Sequence, residues 1–188
     1  MSKIKNNPLL KGASGMLGNV IVYREVRGNV IMANRPKRSG VLTEHQEAAK
    51  SKFLRAVQYA KKQLADPVTR AEYEAGITER KFSAFTVALT DFLTPPKVSM
   101  IDVSRYNGGI GDVLAITAFD DFKVTSVQVT VTAGTGDVLE QGEAQLQPDT
   151  IDDWRYATTV ANAALPGTKV TITVRDKPGN VTVSEKVL

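Results

Sequence analysis

Cysteine is absent from this 188-residue chain. That removes disulfides, thiolate metal sites and cysteine nucleophiles together, and it fits folding in a reducing compartment. Histidine occurs once, at position 45. A Ser-His-Asp triad or a two-histidine metal site would have to be built around His45. It stands in the first turn of an expected helix, beside Glu44 and Glu47, and reads as an exposed helical side chain. No apolar run reaches the roughly 18 residues of a spanning helix, and no signal-peptide run follows the basic opening MSKIKNNPLLKGASGML. The expectation is synthesis in the cytoplasm without classical secretion and no membrane span. GxxxxGK[ST] is missing, and so is a GxGxxG placed between strand and helix. The expected chain is therefore not an enzyme and carries no cofactor or metal.

Charge is present and unevenly placed. Residues 1–94 hold 16 basic and 8 acidic side chains, a net +8, whereas residues 95–188 hold 8 and 12, a net −4. Residues 1–65 alone hold 13 and 3, a net +10. The split marks two functional halves, and the basic half would favour an acidic partner.

The pattern predicts an α+β chain in three parts. Residues 1–40 read as an extended, Gly-spaced opening followed by a β-hairpin, Val20–Val26 and Asn29–Ala33, turning at Arg27-Gly28. A lone hairpin is marginal in water and needs something to lie against. Arg35, Lys37 and Arg38 form a basic linker. Residues 41–94 read as about three helices. Thr43 with Gln46 forms a capping box opening a helix near 44–64, with Phe53, Leu54, Val57, Ala60 and Leu64 as its apolar face and Lys52, Arg55, Tyr59 and Lys62 opposite. Asp66-Pro67 caps a second helix ending at Gly76 as a C′ glycine. Thr78 caps a third with the stripe Phe82, Phe85, Leu89 and Phe92, stopped by Pro95-Pro96.

Residues 97–188 change period. Seven strand-like runs are expected at 98–103, 113–119, 125–132, 138–146, 154–160, 169–174 and 181–187. Val127, Val129 and Val131, and likewise Val170, Ile172 and Val174, alternate with polar residues, which demands one buried and one wet face. Seven short strands in this length have the rhythm of an immunoglobulin-like sandwich. The stretches ITAFDDFKVTSVQVTV, DDWRYATTV and GTKVTITVRDKPGNVTV resemble bacterial immunoglobulin-like and fibronectin type III-like domains. The opening GASGMLGNVIVY, the hairpin, the Asn-Arg-Pro step and the Gln/Lys/Phe-rich helix resemble small phage- and prophage-encoded proteins. That resemblance implies a virion-associated or assembly role. LADPVTRAEYEAG is similar to the last helix of a J-domain, but the His-Pro-Asp tripeptide those domains need is missing.

Three functions remain open. The first is a structural assembly protein, incorporated into a virion or similar particle and partnered by further copies or other structural subunits, with its contacts through Val20, Val22, Tyr23, Arg35, Lys37, Arg38, Lys52, Arg55, Tyr59 and Lys62. The second is a binding module whose sandwich loops recognise a glycan or surface protein. The third is nucleic-acid association, with the Lys52–Lys62 stripe on phosphates and Tyr59 stacked on a base. Asp102, Asp112, Asp120, Asp121 and Asp176 could suggest calcium. Their spacing matches no EF-hand loop, and loop aspartates usually cap turns. Trp154 and Tyr156 read as core aromatics rather than as a sugar platform.

Overall fold

The computed structural model describes residues 2–4 (backbone only), 10, 12–26, 28–36 and 40–188. Lys37, Arg38 and the turn residue Arg27 lie outside the described residues. The chain is α+β, with three helices and three antiparallel four-stranded sheets among the described residues. It divides into two compact units, Met1–Glu47 and Ala48–Leu188.

The first unit is a sheet. Strands β1 (Ser2–Ile4), β2 (Gly15–Leu17), β3 (Ile21–Val26) and β4 (Asn29–Asn34) pair in the order β1-β4-β3-β2. The expected hairpin is β3–β4, in register from Ile21↔Asn34 to Val26↔Asn29. It is not alone. The opening, expected to be extended or irregular, supplies both edge strands, with Met16 opposite Val22 and Ile4 opposite Val30. Gly18 and Asn19 make this possible. Both take positive φ, 57° and 59°, the primed-turn conformation that matches strand twist, and the turn closes by Val20 N–H donating to the Leu17 carbonyl.

The second unit opens with most of α1 (Glu44–Ala65), followed by α2 (Pro67–Ala75) and α3 (Ala84–Leu93). The capping box forms as expected, with Thr43 N–H donating to Gln46 Oε1 and Gln46 N–H to Thr43 Oγ1. Asp66 caps α2 by accepting from Val68 and Thr69 N–H. Two caps differ from expectation. Gly76 ends α2 with φ −85°, so its freedom to go left-handed is unused. What it provides is space, since a Cβ there would meet Phe122 Cε2 at 2.9 Å. Thr78 does not start α3. It holds a turn with Lys81, and Ser83 is the cap, accepting from Thr86 N–H.

Beyond the helices, β5 (Lys97–Asp102), β6 (Val113–Phe119), β9 (Gln145–Leu146) and β10 (Asp153–Ala157) form a sheet ordered β5-β6-β10-β9. β7 (Val124–Thr132), β8 (Val138–Glu143), β11 (Lys169–Asp176) and β12 (Val181–Val187) form another, β12-β11-β7-β8. The expected strand 138–146 is two strands, one in each sheet. The inner faces supply one core: Leu114, Ile116, Ala118, Trp154 and Tyr156 from the first, Val127, Val129, Val131, Val170, Ile172 and Val174 from the second. This arrangement is compatible with a β-sandwich. A second cluster of Ala60, Tyr73, Val87 and Ala88, with Tyr59 and Phe122 against it, joins the helices to one end of the sheets.

Candidate functional site

In the first unit, Val22 and Tyr23 are half-buried on β3, an inner strand, so their backbone groups are already paired. Val20 is 62% exposed in the β2–β3 turn. Arg35 is drawn back over that turn, its guanidinium donating to Asn19 Oδ1 and its N–H to the Val20 carbonyl. Met16, Asn19, Val20, Val22, Asn34, Arg35 and Pro36 line an open groove of about 970 Å³, so three of the expected contact residues share one surface.

The expected stripe on α1 is divided. Arg55 and Lys62 are exposed. Tyr59 instead turns inward, its hydroxyl 2.8 Å from that of Tyr73 and its ring 5.2 Å from Phe92. Lys52 reaches the last turn of α3 and donates to the Leu93 carbonyl. The buried face of α1 is built on Ala56 and Ala60, while Phe53 and Leu54 stay about half exposed. Small residues let the helices approach closely, and the larger apolar side chains are left outside.

A site that sequence reasoning missed lies where α3 meets the sheets. Asp91 of α3 is fully buried, Asp176 at the end of β11 is 3% exposed, and Asp120 just beyond β6 is half-buried. One oxygen from each lies within 4.8 Å of the others. Each aspartate occupies the next step of an apolar inward stripe: Ala84, Val87, Ala88 and then 91 on the helix; Leu114, Ile116, Ala118 and then 120; Val170, Ile172, Val174 and then 176. A carboxylate that continues a core period is the signal that would have found them. Of the five aspartates considered from sequence, Asp120 and Asp176 enter this cluster. Asp102 and Asp112 cap turns, accepting from Ser104 N–H and from Asn107 and Gly109 N–H. Asp121 pairs with Lys81.

Each member is held from its own side. The Tyr73 hydroxyl donates to Asp91 Oδ2 at 2.6 Å. Phe122 and Lys123 N–H donate to Asp120 Oδ2. Asn180 donates its N–H to Asp176 Oδ1 and its side-chain amide to Asp176 Oδ2. Two of the cluster's buried oxygens, Asp91 Oδ1 and Asp120 Oδ1, are among the buried atoms without a hydrogen-bond partner in the described residues. None of the three carboxylates forms an ion pair among the described residues. Burial pushes Asp91 up to about 7, against the pull of its Tyr73 hydrogen bond and with further lift from the Asp120 and Asp176 charges. Burial likewise raises Asp176, with the Asn180 hydrogen bonds opposing it, and holds the Tyr73 and Tyr59 phenols protonated. The wall outside is cationic and aromatic: Lys177 pairs with Glu72 and lies 5.0 Å over the Tyr73 ring, which stacks on Phe122 at 4.6 Å.

No family model matches the sequence, and no curated protein matches it. Among solved structures, CopC from Methylosinus trichosporium OB3b is similar at a TM-score of 0.36 and 13% identity, covering 48% of this chain and 87% of that one. A likeness that slight carries no argument about fold or function.

Proposed function

We propose that the chain is a non-enzymatic assembly protein of a virion-like particle. The basic N-terminal unit attaches to another copy of the chain, and an immunoglobulin-like sandwich is presented outward. The carrying observation is the N-terminal sheet. Among its described residues only Val30 is a buried hydrophobic, while Met16, Leu17, Val20 and Val26 remain 48–62% exposed. A sheet needs a covered face to be stable on its own, and this one leaves its apolar groove open. Charge selects the occupant: the net +10 of residues 1–65 suits the net −4 of residues 95–188 in a neighbour.

Strand order supports the immunoglobulin-like reading of the sandwich. Counting its strands in chain order, one sheet runs first, second, sixth, fifth, and the other eighth, seventh, third, fourth. This order has the same sequence of neighbours as an ABED sheet and a GFC sheet with one added strand beside C, which favours that reading. The nucleic-acid reading loses ground, because Tyr59 and Lys52 are engaged with other helices. Burial of Asp91 and Asp176 within the carboxylate cluster also favours an architectural over a catalytic use.

Light scattering on the full chain tests the proposal. The wild type should be oligomeric at low salt and smaller at high salt, and Val20→Asp, placed in the groove, should give a monomer that keeps its fold. A wild type that is monomeric at every salt concentration would overturn attachment between copies.

A further inference from the structure

The carboxylate cluster poses a charge problem that its surroundings do not answer. Three aspartates converge at the junction of α3 with both sheets, two of them almost wholly removed from water. Burying even one uncompensated carboxylate is costly. The donors around them serve one oxygen each of Asp91 and Asp120, Tyr73 on Asp91 Oδ2 and two backbone N–H groups on Asp120 Oδ2, and both oxygens of Asp176, through Asn180. The fully buried Asp91 side chain keeps Oδ1 without a partner, and so does Asp120. Those oxygens can be met by a cation or by a proton shared between Asp91 and Asp120, and no lysine or arginine among the described residues forms an ion pair with them.

We propose that Asp91, Asp120 and Asp176 bind a calcium ion, which ties the C-terminal half of α3 to the ends of β6 and β11. The chemistry fits. Calcium takes carboxylate oxygens at about 2.3–2.6 Å, so two ligands of one ion are at most about 5 Å apart, and the three oxygens here lie within 4.8 Å of one another. Magnesium holds its waters tightly and is bound through one or two carboxylates with several waters retained, which suits a buried site with three carboxylates poorly. Thiolate- and imidazole-seeking metals find no such donor, since the chain has no cysteine and its one histidine is on α1 at position 45.

The test uses the full chain after dialysis against a chelator. Thermal unfolding is followed with and without added calcium or magnesium, and terbium is used as a luminescent substitute. Tyr73, hydrogen-bonded to Asp91, stands close enough to sensitise a bound terbium ion. Calcium at about a hundred times its Kd should raise Tm by about 5–10 °C, with magnesium less effective. Asp120→Asn, at the half-buried position, should remove both the calcium shift and the terbium signal, and Asp91→Asn should do the same. Two results would overturn the site. One is a Tm unmoved by calcium. The other is a terbium signal that persists in both variants, which would place the ion on surface carboxylates. If Asp91→Asn also stabilised the chelated protein, a proton shared between Asp91 and Asp120 would be what holds the cluster.

Discussion

The side-chain amide of Asn180 donates to the Phe92 carbonyl at 3.2 Å. The same amide also serves Asp176 at 2.7 Å. One residue in the β11–β12 turn therefore closes the C-terminal end of α3 and orients a buried carboxylate. Asn180→Ala should cost about 1–3 kcal/mol, because it leaves buried acceptors unmade. Urea unfolding followed by circular dichroism will give the value, and a change below a few tenths would show that the clasp does not hold α3.

The face of α1 that packs inward can be read from paired substitutions. Tyr59→Phe loses the bond to Tyr73 and should cost about 0.5–1.5 kcal/mol. Arg55→Ala and Lys62→Ala, both on the exposed side, should stay within about 0.5 kcal/mol of wild type. The reverse ranking would put Tyr59 on the solvent face.

Proton binding should run opposite to the usual acid denaturation. In its folded state Asp91 sits near 7, raised chiefly by burial, above the ordinary value of about 3.9 for an unfolded aspartate. A raised value means that the folded state holds the proton more tightly, so this stabilisation is full below pH 4 and is lost as pH rises toward 7. With chelator present, stability should fall by up to about 1.4 kcal/mol per pH unit across that window. Asp176, also raised by burial, adds to the same slope, while Tyr73 stays protonated throughout. Asp91→Asn should flatten the profile. An unchanged slope would assign it to other groups.

Gly76→Ala should destabilise by about 1–3 kcal/mol through overpacking against Phe122 and Val87. The φ at this position suits alanine, so a neutral result would mean that the Phe122 ring moves freely.

The strands of the two C-terminal sheets were legible because Val127, Val129 and Val131 on β7 and Val170, Ile172 and Val174 on β11 repeat at period two, and an apolar alternation has one physical solution. The split of 138–146 between sheets was not legible. Crossing from β8 to β9 depends on which neighbour each segment pairs with, and residue types alone do not say this. The α1 face was legible in part: Ala60 and Leu64 pack inward as expected, but Phe53 and Leu54 stay half exposed while Ala56 is buried, because close helix packing selects the smaller residue over the more hydrophobic ones. Asp120 and Asp176 were noticed as loop aspartates and read as turn caps, while Asp91 escaped notice, because polar residues were read as ending each apolar stripe rather than continuing it inward. The fourfold N-terminal sheet was hidden in the opening, although Gly18-Asn19 there is a primed-turn pair.

The helices engage the sheets at the end where β6 closes and β12 begins, through Phe122, Lys177 and Asn180. At the opposite end the loops brace one another, Asn162 N–H on the Gly108 carbonyl and Gly134 against Pro166 and Gly167, and Gly167 N–H also donates to the Leu188 carbonyl. The exposed tip at Thr135-Gly136 is thus the natural place for a peptide insertion, because a graft there would leave the helical junction untouched. Length added at 177–179 would pull the junction apart, which makes one end of this scaffold evolvable and the other fixed.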